Sequence, residues 1–336
     1  ALRPHWDVTK GYDTSTLTFE EAVCPPPCYR MKPLNRSTSA GYPYRLDGSV
    51  GKKDFFGDTG DFDFSSEACT TLKQDVDRMV QAAKEGRRLA VIFTDFPKDE
   101  VRPHAKVDAV ATRAISGAPL NYVIAVRMYF GAFIAASFAT HTENGMAPGV
   151  NPYTDWHILA DKLASKGEKV FAGDFSRFDA SEQPEVHMEI LDYINRWYRR
   201  GGSTEEDDRV RSILWLDLVH SRHLTGKGSK LDTIVQWAKS LPSGHPLTTL
   251  VNSMYALITL TACYLHLIKD YRDMWKKVQF ITYGDDNVNS VSDDVAEVFN
   301  QVTVAQAMME LFGLTYTSDK KDQDLVPYET IHDVTF

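Results

Sequence analysis

FITYGDDNVNS, residues 280 to 290, sets two adjacent carboxylates, Asp285 and Asp286, between two apolar runs. Val278, Phe280 and Ile281 precede the pair, and Val288 and Val291 follow it. Such runs around a Gly-Asp-Asp-Asn corner predict a β-hairpin with a tight turn. Turns accept Asp and Asn readily, so the pair by itself describes a solvated loop as well as a site. Chemistry at this corner requires partners elsewhere in the chain.

The chain of 336 residues is long enough for a large core and more than one lobe. Its composition is that of a globular protein, 43% hydrophobic and 25% charged, without a low-complexity tract or an internal repeat. No uninterrupted apolar run reaches the ~18–20 residues of a membrane span. Met254 to Ile268 comes nearest, and its polar interruptions predict a buried helix. The start, ALRPHWDVTKGYD, is polar and lacks an initiating Met, so a processed or trimmed product is expected rather than a signal peptide. Cys24, Cys28, Cys69 and Cys263 are too few for a disulfide scaffold, and reduced, cytosolic thiols are expected. Cys24 and Cys28 in CPPPC have the spacing of half a zinc site, but no matching second pair follows. A net charge of −9 opposes nucleic-acid binding unless basic residues gather along one channel.

Periodicity predicts extended segments over 1–65, then an amphipathic helix over 66–88 with acids early and bases late. A strand at LAVIFTDFP, helices at 127–140 and 153–166, and a short strand at 170–172 follow. Further helices are predicted at 184–200 and 207–222, a long one after SLPSGHP, and another over 295–312 beyond the hairpin. Strands and helices mix without strict βαβ alternation, which indicates an α+β fold.

Three segments offer partners for the acid pair. In AGDFSRFDAS, Asp174 ends a strand and Asp179 follows five residues later. Carboxylates at the ends of neighbouring strands can share Mg²⁺, which needs one or two of them together with waters and phosphates. In LPSGHPLTTLVNS, Ser243 and Gly244 lie in a flexible loop, while Thr248 and Asn252 share a helix face that suits sugar hydroxyls or merely caps the helix. In FPKDEVRPHAKVDAVATRAIS, Lys98, Arg102, Lys106 and Arg113 recur as a triphosphate requires, although Asp99, Glu100 and Asp108 make a solvated charged loop an equal reading.

Taken together, these segments resemble the RNA-dependent RNA polymerases of the picornavirus-like positive-strand RNA viruses. TSAGYPY, from Thr38 to Tyr44, is similar to that family's template-guiding motif. KDEVR…K…TR resembles its nucleotide-admitting finger, DFSRFD, PSGHPLTTLVN and YGDD its first three palm motifs, and FGLTYTSDKK its fourth. All stand in the family's order between about residue 38 and residue 321.

The resemblance implies a right-hand polymerase: a palm with an antiparallel sheet packed on helices, and fingers. It implies fingers at 1–165, palm at 166–190, a fingers insertion at 191–235 that returns to palm, and palm at 236–336. Because the chain stops at ETIHDVTF, where relatives continue into a primer grip and thumb, the thumb is expected to be missing. Asp174, Asp285 and Asp286 would be ligands for two Mg²⁺ or Mn²⁺ ions. Lys321, or Lys320 if the alignment slips by one, would be the proton donor for pyrophosphate departure. Asp179, Ser243, Thr248 and Asn252 would read the ribose 2′-hydroxyl, and Lys98, Arg102, Lys106 and Arg113 would meet the triphosphate. Ala111 stands where many relatives have a further base. Thr38, Ser39, Gly41, Tyr42 and Pro43 would guide the template.

The implied activity is RNA-templated RNA synthesis in virus replication. The implied partners are template and product RNA, nucleoside triphosphates, a small protein primer, other viral replication proteins and a second copy of the chain. The implied location is the host cytoplasm, at membrane-associated replication complexes, in an arthropod-type virus. A reverse transcriptase is the enzymatic alternative, against which Asp179 and Asn252 argue. An RNA-binding fragment without catalysis is the alternative from another class.

Overall fold

The computed structural model describes residues 1–47, 51–226, 233–320 and 323–335, without the side chains of Asp47 and Lys106. The chain divides into two compact units, one formed by Ala1–Asp13, Ile134–Ile190 and Thr249–Phe336, the other by Thr14–Phe133 and Leu191–Thr248.

Strands are numbered along the chain: β1 (Ile92–Pro97), β2 (Ala114–Gly117), β3 (Lys169–Phe175), β4 (Arg222–Thr225), β5 (Thr233–Gln236), β6 (Val278–Tyr283), β7 (Asp286–Val291) and β8 (Tyr316–Ser318). The first unit contains an antiparallel sheet in the order β6-β7-β3-β8. Alternation along β3 sends Val170 and Ala172 to one face, where they pack with Ile281, Val288 and the helix Trp156–Ala164 through Leu159 and Leu163. On the other face Phe171 meets Phe299, which also packs on Phe280 and on Tyr264 of the helix Thr248–Ile268. This is the antiparallel sheet on helices expected from the sequence.

The second unit holds the sheet β2-β1-β4-β5, in which β1 and β4 run parallel and the other pairs antiparallel. Its core is aromatic: Phe130 stacks on Trp215 at 5.7 Å, and Phe133 meets Trp197 edge-on at 5.3 Å. Strands β2, β4 and β5 were not legible, because runs of four residues show little period and pairing alone defines them.

Several elements differ from expectation. Residues 1–47 and 51–65 are not simply extended, since short helices form at Arg3–Val8, Phe19–Val23 and Lys53–Phe56. Thr18 and Glu21 form a reciprocal cap that starts the second of them. The helix expected over 127–140 begins earlier, at Leu120, and runs to Ala139. The one expected over 207–222 occupies Glu205–Val219 and gives way to β4. The one expected over 295–312 breaks into Asp293–Ala296 and Gln301–Phe312. Asn300 causes the break: its side chain accepts the Thr303 N–H and donates to the Ala296 and Glu297 carbonyls, ending one helix and capping the next. The helices Leu120–Ala139 and Thr248–Ile268 are long and apolar enough to cross a membrane, but both are largely buried within the protein. All four cysteines are free.

Candidate active site

The hairpin predicted around Asp285 forms, with Tyr283 opposite Asp286 and Gly284–Asp285 as the connection. Gly284 turns the chain with φ 65°, a conformation that suits glycine. Its N–H donates to Ser253 Oγ at 2.8 Å, and Ser253 in turn donates to the Thr249 carbonyl one helical turn back. The turn is therefore bolted to the helix that follows SGHP.

Strand β3 brings the first partner. Gly173 is opposite Asn287, and the same register carried one residue further sets Asp174 across from Asp286. Asn287 locks this corner: its Nδ2 donates to the Gly173 carbonyl at 3.0 Å, and its Oδ1 accepts from the buried Tyr316 hydroxyl at 2.7 Å. Asp285 is half-buried, and its carboxyl is pushed up to about 6, by burial first and then by the charges of Asp174, Asp286 and Asp179. Acids distant in sequence thus act on one another electrostatically.

Asp179 stands on the short helix Phe178–Ser181, entered through Arg177 in the left-handed conformation. Its Oδ1 accepts from Asn252 Nδ2 at 2.7 Å. Burial raises the Asp179 carboxyl, and the Asn252 bond draws it back down. The Asn252 amide oxygen is buried and finds no hydrogen-bond partner among the described residues. Below this pair, Glu182 is fully buried with an oxygen 2.9 Å from His187 Nε2. Burial, then Asp179 and Asp285, push its carboxyl well above the usual range. Sequence reading missed Glu182, because its polar neighbours Ser181, Gln183 and Glu185 give no sign of its burial.

The remaining predicted residues, apart from Lys320 and Lys321, belong to the second unit. Glu100 gathers three of the four cations: Arg113 meets it through two nitrogens at 2.9 and 2.6 Å, and Lys98 and Arg102 approach at 3.2 Å each. Those bonds hold its carboxyl down at about 2, Arg113 contributing most. The expected strip of cations available to a triphosphate is therefore an internally paired cluster, three cations around one carboxylate. The Lys106 side chain lies outside the described residues. Thr248 turns its hydroxyl back to the Pro242 and His245 carbonyls, at 2.7 and 2.9 Å, which commits its proton to the loop before it. Ser243 accepts the Ser116 N–H at 3.0 Å, so a loop expected to be flexible is anchored.

In the stretch expected to guide the template, Ser39 Oγ accepts the Gly41 N–H, and Thr38 donates to the Asn35 carbonyl. Tyr42 lines a cavity of about 640 Å³ with Arg45, Phe96 and Arg113, and the Arg45 guanidinium lies 4.9 Å from the Phe96 ring centre. Thr38 and Pro43 are exposed. Lys52, which sequence reading missed, donates to Thr38 Oγ and to the Ser39 carbonyl, and burial lowers its ammonium to about 8. Of the two candidate proton donors, Lys320 is held by both oxygens of Glu329 at 2.7 Å, and Lys321 lies outside the described residues.

Residues 12–336 match the family described as viral RNA-dependent RNA polymerase, and the chain belongs to that family. The replicase polyprotein of Acute bee paralysis virus is 34% identical over 95% of this chain and 17% of the polyprotein. That of Cricket paralysis virus is 33% identical over 91% of this chain and 18% of the polyprotein. The chain thus spans less than a fifth of these relatives. Among solved structures, the Sicinivirus 3Dpol RNA dependent RNA polymerase shares the fold, with a TM-score of 0.80 and 23% identity over all of this chain and 65% of that one.

Proposed function

We propose that the chain catalyses RNA-templated RNA synthesis, adding a nucleoside monophosphate to an RNA 3′-hydroxyl with loss of pyrophosphate. The observation that carries this reading is the register that brings Asp174 to the hairpin of Asp285 and Asp286, where burial first, and then the charges of Asp174, Asp286 and Asp179, push the Asp285 carboxyl up to about 6. Groups of one charge held in proximity call for a cation. Among the described residues no group of three or more His, Cys, Asp and Glu side chains is arranged to hold an ion alone. Mg²⁺ needs only one or two carboxylates, with waters and phosphate oxygens completing its shell. Asp174, Asp285 and Asp286 would hold two such ions, which would neutralise charge on the attacking and leaving oxygens.

The chain's own groups supply positioning. Asp179 and Asn252 offer a carboxylate and an unpaired amide oxygen to a sugar hydroxyl, which a deoxynucleotide would leave without a partner. Phe178, the bulky side chain nearest this pair in sequence, is buried against Phe175 at 4.5 Å and Tyr255 at 5.5 Å. That placement supports selection for ribonucleotides over the deoxynucleotides a reverse transcriptase uses. Lys98, Arg102 and Arg113 would meet the triphosphate by exchanging Glu100 for phosphate.

By this reading, 166–190 and 236–336 make the palm, and 1–165 and 191–235 the fingers. Template and product RNA, nucleoside triphosphates, a small protein primer and other viral replication proteins are its proposed partners. Membrane-associated replication complexes in the host cytoplasm are its proposed location. The test is Asp285→Asn in Mg²⁺-dependent extension of a primed RNA template. Extension should vanish while the circular dichroism spectrum stays the same; extension at the unsubstituted rate would overturn the assignment.

A further inference from the structure

One face of the sheet in the second unit carries a line of buried polar side chains with no counterpart in the predicted site. The register makes the line: β1 pairs Asp95 with Ser116 of β2, and β1 pairs Phe93 with His223 of β4, so alternation brings Ser116, Asp95, His223 and Ser221 to one side. His223 is fully buried and flanked by stacked rings, Phe93 at 5.4 Å and Trp237 at 3.9 Å. Its Nε2 lies 2.7 Å from Ser221 Oγ and its Nδ1 2.8 Å from Asp95 Oδ1. Ser116 Oγ donates to the same Asp95 oxygen at 2.7 Å.

The line ends on the loop before the long helix. The Ser116 N–H donates to Ser243 Oγ at 3.0 Å, and Gly244 bridges Gly117 in parallel. A Cβ on Gly244 would stand 1.9 Å from the Ser116 carbonyl oxygen, so only glycine lets the loop come this close. The far side of the loop is fixed as well. The Leu247 N–H donates to His245 Nδ1, which leaves the proton on Nε2 to reach the Tyr122 hydroxyl at 2.9 Å, and that hydroxyl donates to the Leu214 carbonyl.

We infer that His223 and Asp95 are positioning residues that hold Ser116, and through its N–H the Ser243 hydroxyl, where it donates to a nucleotide's sugar oxygen. The inference rests on the polymerase reading above. Strand β2 has four residues and lies at the edge of its sheet, so its ladder with β1 alone holds it weakly. The Asp95 oxygen, itself oriented by His223, ties Ser116 by its side chain. Accepting the Ser116 N–H orients the Ser243 oxygen and keeps its hydroxyl proton available to donate.

The test uses His223→Phe, which keeps the stacked ring and removes both nitrogens, together with Asp95→Ala, Asp95→Asn and Ser243→Ala. Asn retains the Oδ1 acceptor and serves as the rescue. Two readouts apply: amide hydrogen exchange of the peptide covering Ser116, and the ratio of kcat/KM for a ribonucleotide over its deoxy form. His223→Phe and Asp95→Ala should speed exchange and lower the ratio about tenfold, the worth of one hydrogen bond to a charged group, while Asp95→Asn stays within about threefold of the original. Unchanged exchange at Ser116, or an equal loss of rate with both nucleotides, would overturn the inference. If the unsubstituted protein makes no RNA, the polymerase reading fails, and the exchange experiment alone decides whether the line holds the loop. Should His223→Phe not fold, Asp95→Ala against Asp95→Asn carries the same comparison.

Discussion

Asn252→Ala removes the donor that holds Asp179, and its cost follows from the contact. A 2.7 Å bond from an amide to a half-buried carboxylate contributes about 1.5–3 kcal/mol, and leaving the carboxylate unpaired incurs its desolvation. A loss of about 2 kcal/mol in unfolding free energy is expected at pH 8. The pH dependence gives the sign. The bond favours the ionised form and lowers the Asp179 pKa in the folded protein relative to the variant. Its stabilisation is present above both folded-state pKa values and is lost as pH falls through them, so the two proteins should converge in acid. Urea unfolding from pH 8 downward measures this, with ribonucleotide discrimination recorded on the same samples. Discrimination should fall about tenfold at neutral pH, since both groups proposed to read the sugar are disturbed together. A stability difference that does not vary with pH, or discrimination unchanged in both Asn252→Ala and Asp179→Asn, would refute the reasoning.

Two further outcomes are expected. Lys52 should lose its charge as pH rises through about 8, so single-stranded RNA affinity, read by fluorescence anisotropy, should weaken between pH 7 and 9. Lys52→Met should abolish that dependence and lower the salt slope by about 0.7, and a persisting dependence would exclude Lys52 from phosphate contact. In Arg88→Met, the buried Asp217 loses the guanidinium 2.7 Å away, at a cost of about 3–5 kcal/mol at pH 8. Burial already pushes Asp217 up to about 6, so its carboxyl favours the fold below the usual carboxylate range, and that contribution is lost as pH rises through about 6. Removing Arg88 raises the pKa further, and unfolding at pH 4 should narrow the gap from the unsubstituted protein. An equal gap at pH 4 and pH 8 would show that the pair's charge contributes nothing.

The hairpin, the long helix after SGHP and the order of the six motifs were legible because each is local. A Gly-Asp corner between β-branched and aromatic runs turns the same way whatever surrounds it, and a run of 21 residues with buried small and apolar side chains forms a helix from its own pattern. Residue type also singled out the acids of the candidate site. What those acids and bases bond to was not local. Glu100 lies among Lys98, Arg102 and Arg113 in the sequence, and the same letters describe a free basic strip or a neutralised cluster. Geometry alone chose the cluster, because the loop folds Arg113 back onto a carboxylate 13 residues earlier.

The sequence by itself determined the class of fold, the turn that presents Asp285 and Asp286, and membership in a family whose motifs recur in order. Only the tertiary structure decided that β3 runs antiparallel to β7 in the register that faces Asp174 toward Asp286, and that Thr248 points its proton back into its own loop. It alone brought His223, Asp95 and Ser116 into line behind Ser243. Backbone preference acts over a few neighbouring residues, whereas a charged or hydroxyl side chain takes whichever partner the packed chain brings within 3 Å, across more than a hundred residues for His223 with Asp95 and for Ser116 with Ser243.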